Sequence, residues 1–151
     1  MPIGNLLIYL SLLLTIIGII TCFLRLKTKK DKFIRYSKII TLLLFITISI
    51  TLAYLYILFL SADISIEYVW QYTSITHPLE YKFAGVLAGM AGSLLFWIWA
   101  IITPWLYEEI KTIKKPVNED IKDWTRIVLF IVITVMMSIL ILYDILSQTP
   151  I

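Results

Sequence analysis

Histidine, cysteine and charged residues are scarce in this sequence of 151 residues. Cys22 is the only cysteine, so the chain cannot form an internal disulfide or a thiolate metal site. His77 is the only histidine, which excludes a multi-histidine metal site, and we find no catalytic constellation around it. Charged residues make up 15% of the chain, against about a quarter in soluble domains. The sequence therefore predicts no catalytic residue and no metal site of its own.

Long apolar runs dominate the sequence instead. Hydrophobic residues make up 60% of the chain, and the mean hydropathy is +0.93. They are concentrated in four runs, at about 6–24, 39–60, 83–106 and 127–146. A helix of about 20 apolar residues crosses the hydrocarbon core of a bilayer, and an isolated strand there would leave its backbone unsatisfied. We predict an all-α integral membrane protein with four transmembrane helices, a single domain over residues 1–151, in the plasma membrane.

The positive charges predict the orientation of these helices. Of the thirteen Lys and Arg residues, seven lie in 25–38, five in 107–126, and one, Lys82, in 61–82. The positive-inside rule places 25–38 and 107–126 in the cytoplasm, and both termini and the 61–82 loop outside. Because the positive charges follow the first run, we interpret that run as an uncleaved span. The positive charges thus indicate the orientation of the helices in the membrane, and they do not predict binding of nucleic acid.

Two connecting segments carry further expectations. The 107–126 segment holds charges of both signs and Pro116, and we expect a solvated turn or a short interfacial helix there. In the 61–82 loop we expect Asp63 to cap an outer helix. We expect four aromatic residues of this loop to flank the outer membrane interface: Tyr68, Trp70, Tyr72 and Tyr81.

Small residues mark the third apolar run. Gly85 and Gly89 form a GxxxG pattern, and Gly92 and Ser93 follow on the same helix. Small residues let another helix approach closely, and such packing stabilises helix association in lipid. The pattern is compatible with an internal contact between spans and with a seam for a partner protein.

Three short segments in order resemble a known family. They are Ala62-Asp63-Ile-Ser65-Ile-Glu-Tyr68-Val69, then Pro78-Leu-Glu-Tyr81-Lys82, then Gly92-Ser93-Leu94-Leu95-Phe-Trp97. Their order and spacing resemble the N-terminal portion of the cytochrome c-type biogenesis protein family CcmF. The resemblance covers roughly residues 5–105 when the order of spans is counted. It implies a role in haem attachment, within a complex that includes a haem-handling membrane subunit and apocytochrome c at the outer face.

The sequence also departs from that family. Leu87 stands at a Trp position of the family, and Met90 and Ala91 stand at those of a His-Glu pair. The Trp-rich haem-handling loop and the haem-ligating histidines of the family have no counterpart here, and His77 matches none of them. The resemblance therefore implies haem in the complex but assigns no ligand to this chain, and His77 is only a weak candidate for binding the cofactor.

The function predicted from the sequence is that of a non-catalytic membrane subunit of a cytochrome c maturation complex, which acts as a scaffold for a haem-handling partner. The alternative is an accessory subunit of a respiratory or transport complex with no role in haem attachment. A stand-alone transporter or channel is disfavoured, because no apolar run carries a charge near its middle.

Overall fold

Six helices make up the parts of the chain that the computed structural model describes, residues 3–112 and 118–143. They are α1 (Ile3–Thr28), α2 (Lys32–Ser61), α3 (Glu67–Tyr72), α4 (Leu79–Ala88), α5 (Met90–Lys111) and α6 (Glu119–Leu142). Four of these, α1, α2, α5 and α6, are long and apolar enough to cross a membrane. This confirms the predicted all-α fold with four transmembrane helices.

The four long helices form one bundle. Helix α1 packs along both α2 and α6, and α2 also packs against α5 and α4. Two polar contacts join these helices within their apolar stretches. Thr134 Oγ1 donates to Thr15 Oγ1 at 2.9 Å between α6 and α1, and Trp99 Nε1 donates to Ser49 Oγ at 3.1 Å between α5 and α2. Hydrogen bonds of this kind fix the relative position of helices that lipid alone would not hold in register.

The third apolar run, 83–106, was predicted to form one continuous helix, but the structure divides it into two. It is divided at Gly89, whose φ of −91° and ψ of 161° are extended, so that α4 ends at Ala88 and α5 begins at Met90. Apolar composition continues across this point, and composition alone therefore gave no sign of the break. Helix α5 then extends beyond the predicted range, to Lys111.

The fourth long helix begins earlier than the apolar run predicted. Asn118 caps α6, and its side-chain oxygen accepts a hydrogen bond from the Asp120 backbone N–H at 3.1 Å. Glu119 and Asp120 occupy the first turn, where negative charge suits the helix dipole. Residues 113–117 of the predicted 107–126 connection and 144–146 of the predicted fourth span lie outside the described residues.

The predicted orientation is testable with accessible cysteines. Thr76 and Lys30 are both exposed, whereas the native Cys22 is fully buried. In a Cys22→Ala background we expect Thr76→Cys to react with a membrane-impermeant maleimide from outside the cell, and Lys30→Cys to react only after permeabilisation. The reverse labelling pattern would place the basic loops outside.

Candidate functional site

The short helix α3 docks on the break between α4 and α5, and Tyr68 is the centre of that contact. The Tyr68 hydroxyl donates to the Val86 carbonyl at 3.1 Å and accepts from the Gly92 backbone N–H at 2.9 Å. Its ring packs edge-on against Phe59 of α2. We call Tyr68, Val86, Gly89 and Gly92 the Tyr68 junction. Tyr68 is buried there, with 8% of its surface exposed, so its ring contacts other parts of this chain. Its depth at the membrane interface stays a prediction.

The Tyr68 junction satisfies backbone groups that the helix break leaves without partners. A helix ends with four carbonyls and begins with four N–H groups that have no partner inside the helix. Tyr68 serves one of each, and Ser93 Oγ donates to the Gly89 carbonyl at 2.6 Å. Burial raises the pKa of the Tyr68 phenol, which therefore stays protonated and remains a donor to Val86.

The three glycines of the third run provide the space for this docking. A Cβ on Gly89 would lie 2.5 Å from the Tyr68 hydroxyl, and a Cβ on Gly92 would collide with the Val86 carbonyl oxygen. A Cβ on Gly85 would lie 3.0 Å from both the Phe59 ring and the Tyr72 carbonyl oxygen. Groups of the same chain therefore occupy the space beside each glycine. The role of Gly85, Gly89, Gly92 and Ser93 in packing against a partner protein stays a prediction.

Polar residues of the resembling segments hold the same region together. Asp63 Oδ1 accepts from the Ser65 backbone N–H at 3.1 Å and from Ser65 Oγ at 2.6 Å. Asp63 thus closes a turn before α3 and does not cap that helix, because the N-cap position is Ile66. Lys82 Nζ donates to the Leu60 carbonyl at 3.3 Å, near the C-terminus of α2, where positive charge is favourable.

Other predicted site residues face outward. Tyr81 and Trp97 expose 65% and 61% of their surface. Pro78 is exposed and precedes the first turn of α4, where its carbonyl accepts from the Tyr81 backbone N–H at 3.1 Å. His77 is also exposed, and its ring centroid lies 6.2 Å from that of Tyr81. The structure thus brings His77 and Tyr81 together on the surface. Trp97 takes no part in the contacts of the Tyr68 junction.

A buried cluster of charges lies at the opposite end of the bundle, which we call the basic end because the 25–38 loop is there. Arg126, with 0% of its surface exposed, donates from Nε and Nη2 to the two carboxylate oxygens of Glu109 at 2.8 and 2.9 Å. Its Nη1 donates to Asp123 Oδ1 at 2.5 Å. Arg25 Nη1 lies 3.2 Å from Asp123 Oδ2, so α1, α5 and α6 meet through these ions.

Further ion pairs extend this cluster towards solvent. Arg25 and Lys29 both contact Asp120, the latter at 2.6 Å, and Lys122 Nζ lies 3.6 Å from Glu109 Oε2. We define the ion cluster by its four cations and four carboxylates: Arg25, Lys29, Lys122, Arg126, Glu109, Glu119, Asp120 and Asp123.

The ion cluster corrects the expectation for the 107–126 connection. Asp123 and Arg126 are fully buried and Lys122 is 8% exposed, so this part of the segment is packed and not solvated. The sequence did hold one signal, since Asp123 and Arg126 are three residues apart and therefore share a helix face. Glu109 and Arg25 had no such signal, because only the tertiary fold brings them to α6.

Among residues 3–112 and 118–143, no group of three or more His, Cys, Asp or Glu side chains could hold a metal ion. Both arrangements stabilise the bundle. The Tyr68 junction provides hydrogen-bond partners for backbone groups at the helix break, and the ion cluster joins three helices. These features define a multi-span α-helical membrane protein whose exposed surfaces are candidates for interaction.

Comparison with known proteins points to one of them. No family model matches the sequence. A stretch of 58 residues is 38% identical to the cytochrome c-type biogenesis protein CcmF of Haemophilus influenzae, and covers 38% of this chain and 9% of that protein. The solved structure of Cytochrome c Heme Lyase CcmF matches 96% of this chain, with a TM-score of 0.82 and 22% sequence identity.

The resemblance to CcmF that the short segments predicted is thereby confirmed, in sequence over part of the chain and in fold over nearly all of it. The chain spans 24% of the length of the solved CcmF chain. It is therefore similar to a fragment of CcmF.

Proposed function

We propose that this chain is a non-catalytic membrane subunit in cytochrome c maturation, which acts as a scaffold for a haem-handling membrane partner. The observation that supports this most is the likeness to a haem lyase over 96% of this chain but only 24% of the other. On this proposal, the groups that hold haem belong to the partner, and the present chain supplies a rigid surface for it.

The side of the bundle that carries α3 has side chains suited to such contact. On α3, on α4 and in the segment that joins them, several large apolar residues are exposed: Trp70 by 61%, Ile75 by 70%, Leu79 by 64% and Tyr81 by 65%. The Tyr68 junction holds the flanking helices in place beneath them. Aromatic side chains on a rigid support are typical of contact sites, because they bury much area at little entropic cost. On the predicted topology this surface faces outside, where apocytochrome c would be met.

The proposal also states what this chain does not do. His77 is the only histidine, and a haem iron needs strong axial donors, most often His, Met, Cys or Tyr. Cys22 is fully buried within α1. We propose that haem is held in the complex by a partner and not by this chain alone, because the chain corresponds to only 24% of the haem lyase and offers a single histidine.

Deletion of the gene tests the proposal. We expect covalent c-type haem, detected by haem staining of denatured proteins, to disappear from the deletion strain, while b-type haem absorbance persists. Re-expression of the wild-type chain should restore the c-type signal, and His77→Ala should restore it equally. The purified chain should show no stoichiometric Soret band on its own.

The possible outcomes separate the alternatives. Normal c-type cytochromes in the deletion strain would contradict a role in haem attachment and favour the accessory subunit of a respiratory or transport complex. Failure of His77→Ala to restore maturation, with the variant present in the membrane at wild-type level, would show that His77 takes part directly. A Soret band from the purified chain would contradict the non-ligating role.

A further inference from the structure

An open groove lies at the basic end, between the first turns of α2 and the last turn of α5. Its volume is about 520 Å³. The apolar wall consists of Ile34, Ile39, Leu42 and Ile110, and the polar rim consists of Asp31, Arg35, Lys38 and Glu109. The apolar side chains are partly or fully exposed, Ile39 by 46% and Leu42 by 43%. The groove therefore offers apolar surface next to charge.

The two cations of the rim do not belong to the ion cluster. Arg25, Lys122 and Arg126 are all paired with carboxylates in the ion cluster. Arg35 and Lys38, in contrast, form no ion pair with any residue in 3–112 or 118–143. The groove thus has two cations whose charge is available to a ligand.

The acids of the rim do not cancel this charge. Glu109 is 3% exposed and is held by Arg126 through both of its oxygens, with Lys122 at 3.6 Å. Asp31 is exposed and lines the groove one residue before α2 begins. The accessible charge of the rim is therefore positive, with Arg35 and Lys38 against Asp31.

The charged and apolar parts follow one another along α2 in the order that a phospholipid requires. The charged 25–38 segment gives way at Ile39 to the apolar stretch 39–60. A headgroup phosphate beside Arg35 and Lys38 would continue into an acyl chain along Ile39 and Leu42. Basic pockets between membrane helices bind anionic headgroups in this way. A soluble anion would use the cations but would leave the apolar wall in contact with water.

We propose that this groove binds one anionic phospholipid from the leaflet at the basic end, with its phosphate on Arg35 and Lys38 and an acyl chain on the apolar wall. The site is distinct from the surface assigned to the haem-handling partner, and the inference does not rest on the proposed function.

Lipid titration of the delipidated protein, followed by native mass spectrometry in mild detergent, tests this inference. Phosphatidylglycerol and phosphatidylcholine with identical acyl chains are the two probes. We expect one phosphatidylglycerol to bind in preference to phosphatidylcholine. Arg35→Gln combined with Lys38→Gln should weaken phosphatidylglycerol binding by about tenfold. The control is Lys27→Gln combined with Lys30→Gln, which removes the same charge from exposed positions of the 25–38 segment outside the groove. It should leave binding unchanged.

A third variant tests the apolar half of the site. Leu42→Trp fills the groove without altering charge, and we expect it to weaken binding of phosphatidylglycerol as well. Equal binding of the two lipids by the wild-type protein would overturn the proposal, as would equal losses in the two charge variants, which would indicate a diffuse electrostatic effect. If a protein co-purifies with the wild-type chain and blocks lipid binding to the groove, the groove is a protein interface instead.

Discussion

Replacing Arg126 by leucine should destabilise the protein by about 3–5 kcal/mol, the range typical of removing one partner from a buried ion pair. Arg126 is fully buried and makes three hydrogen bonds to Glu109 and Asp123, which are themselves 3% and 0% exposed. Without the guanidinium, two buried carboxylates lose their principal partner in a region of low dielectric. Unfolding in mixed micelles of dodecylmaltoside and sodium dodecyl sulfate measures the loss.

Two variants make this prediction specific. Lys111→Gln removes an ion pair to Glu108 in which both side chains are about half exposed, and it should change stability by less than about 1 kcal/mol. Arg126→Leu combined with Glu109→Leu replaces ions by apolar groups and should be more stable than Arg126→Leu alone. Wild-type stability in the Arg126→Leu variant would mean that Glu109 and Asp123 do not depend on this cation.

Gly92→Ala is expected to cost about 1–3 kcal/mol or more, as overpacking of a close contact does. The added methyl would collide with the Val86 carbonyl oxygen and lie 2.7 Å from the Tyr68 hydroxyl, so α4 or α3 must move and the hydrogen bond from Gly92 must lengthen. Unfolding in the same mixed micelles measures the cost. Faster protease cleavage near α3 should accompany it, because Tyr68 joins α3 to α4 and α5 by hydrogen bonds.

The matched control for this substitution is Ala88→Val. Ala88 is exposed at the end of α4, and substitutions at exposed positions change stability little, so stability should stay within about 0.5 kcal/mol of the wild type. Tyr68→Phe should reproduce part of the Gly92→Ala effect, since it leaves the Val86 carbonyl and the Gly92 N–H unpaired at a cost of about 1–3 kcal/mol. A neutral Gly92→Ala variant would show that the two helix ends have room to separate.

The number of membrane helices could be predicted from the sequence because it depends on a one-dimensional property, the length of apolar runs. The helix break at Gly89 could not, because the residues on both sides are apolar and the phenol that satisfies the free backbone groups comes from Tyr68, 21 positions earlier. The pattern of small residues did locate the close approach. It could not say which group approaches, since that depends on how the 61–82 segment folds back.

The charged residues also differ in what could be predicted from the sequence and what depends on the tertiary fold. Their uneven distribution along the chain predicted a topology, which needs only a count per loop. Their pairing was missed, because Arg25 and Asp123 are far apart in sequence and come together only when α1 packs against α6. The resemblance to CcmF was found from three short segments. In the structure, Tyr68 and Lys82 of these segments contact backbone groups of neighbouring helices, and Asp63 closes the turn before α3.

The ion cluster has a consequence for what the finished protein presents to its surroundings. Its four cations face four carboxylates, so the opposite charges neutralise one another at close range once the helices have packed. During insertion, before packing, Arg25, Lys122 and Arg126 still count as positive charges that favour one side of the membrane. After folding, the electrostatic field at that end of the described chain comes instead from unpaired residues such as Arg35 and Lys38. All of these basic residues orient the nascent chain, but only the unpaired ones, such as Arg35 and Lys38, leave their charge available to a lipid on the mature protein.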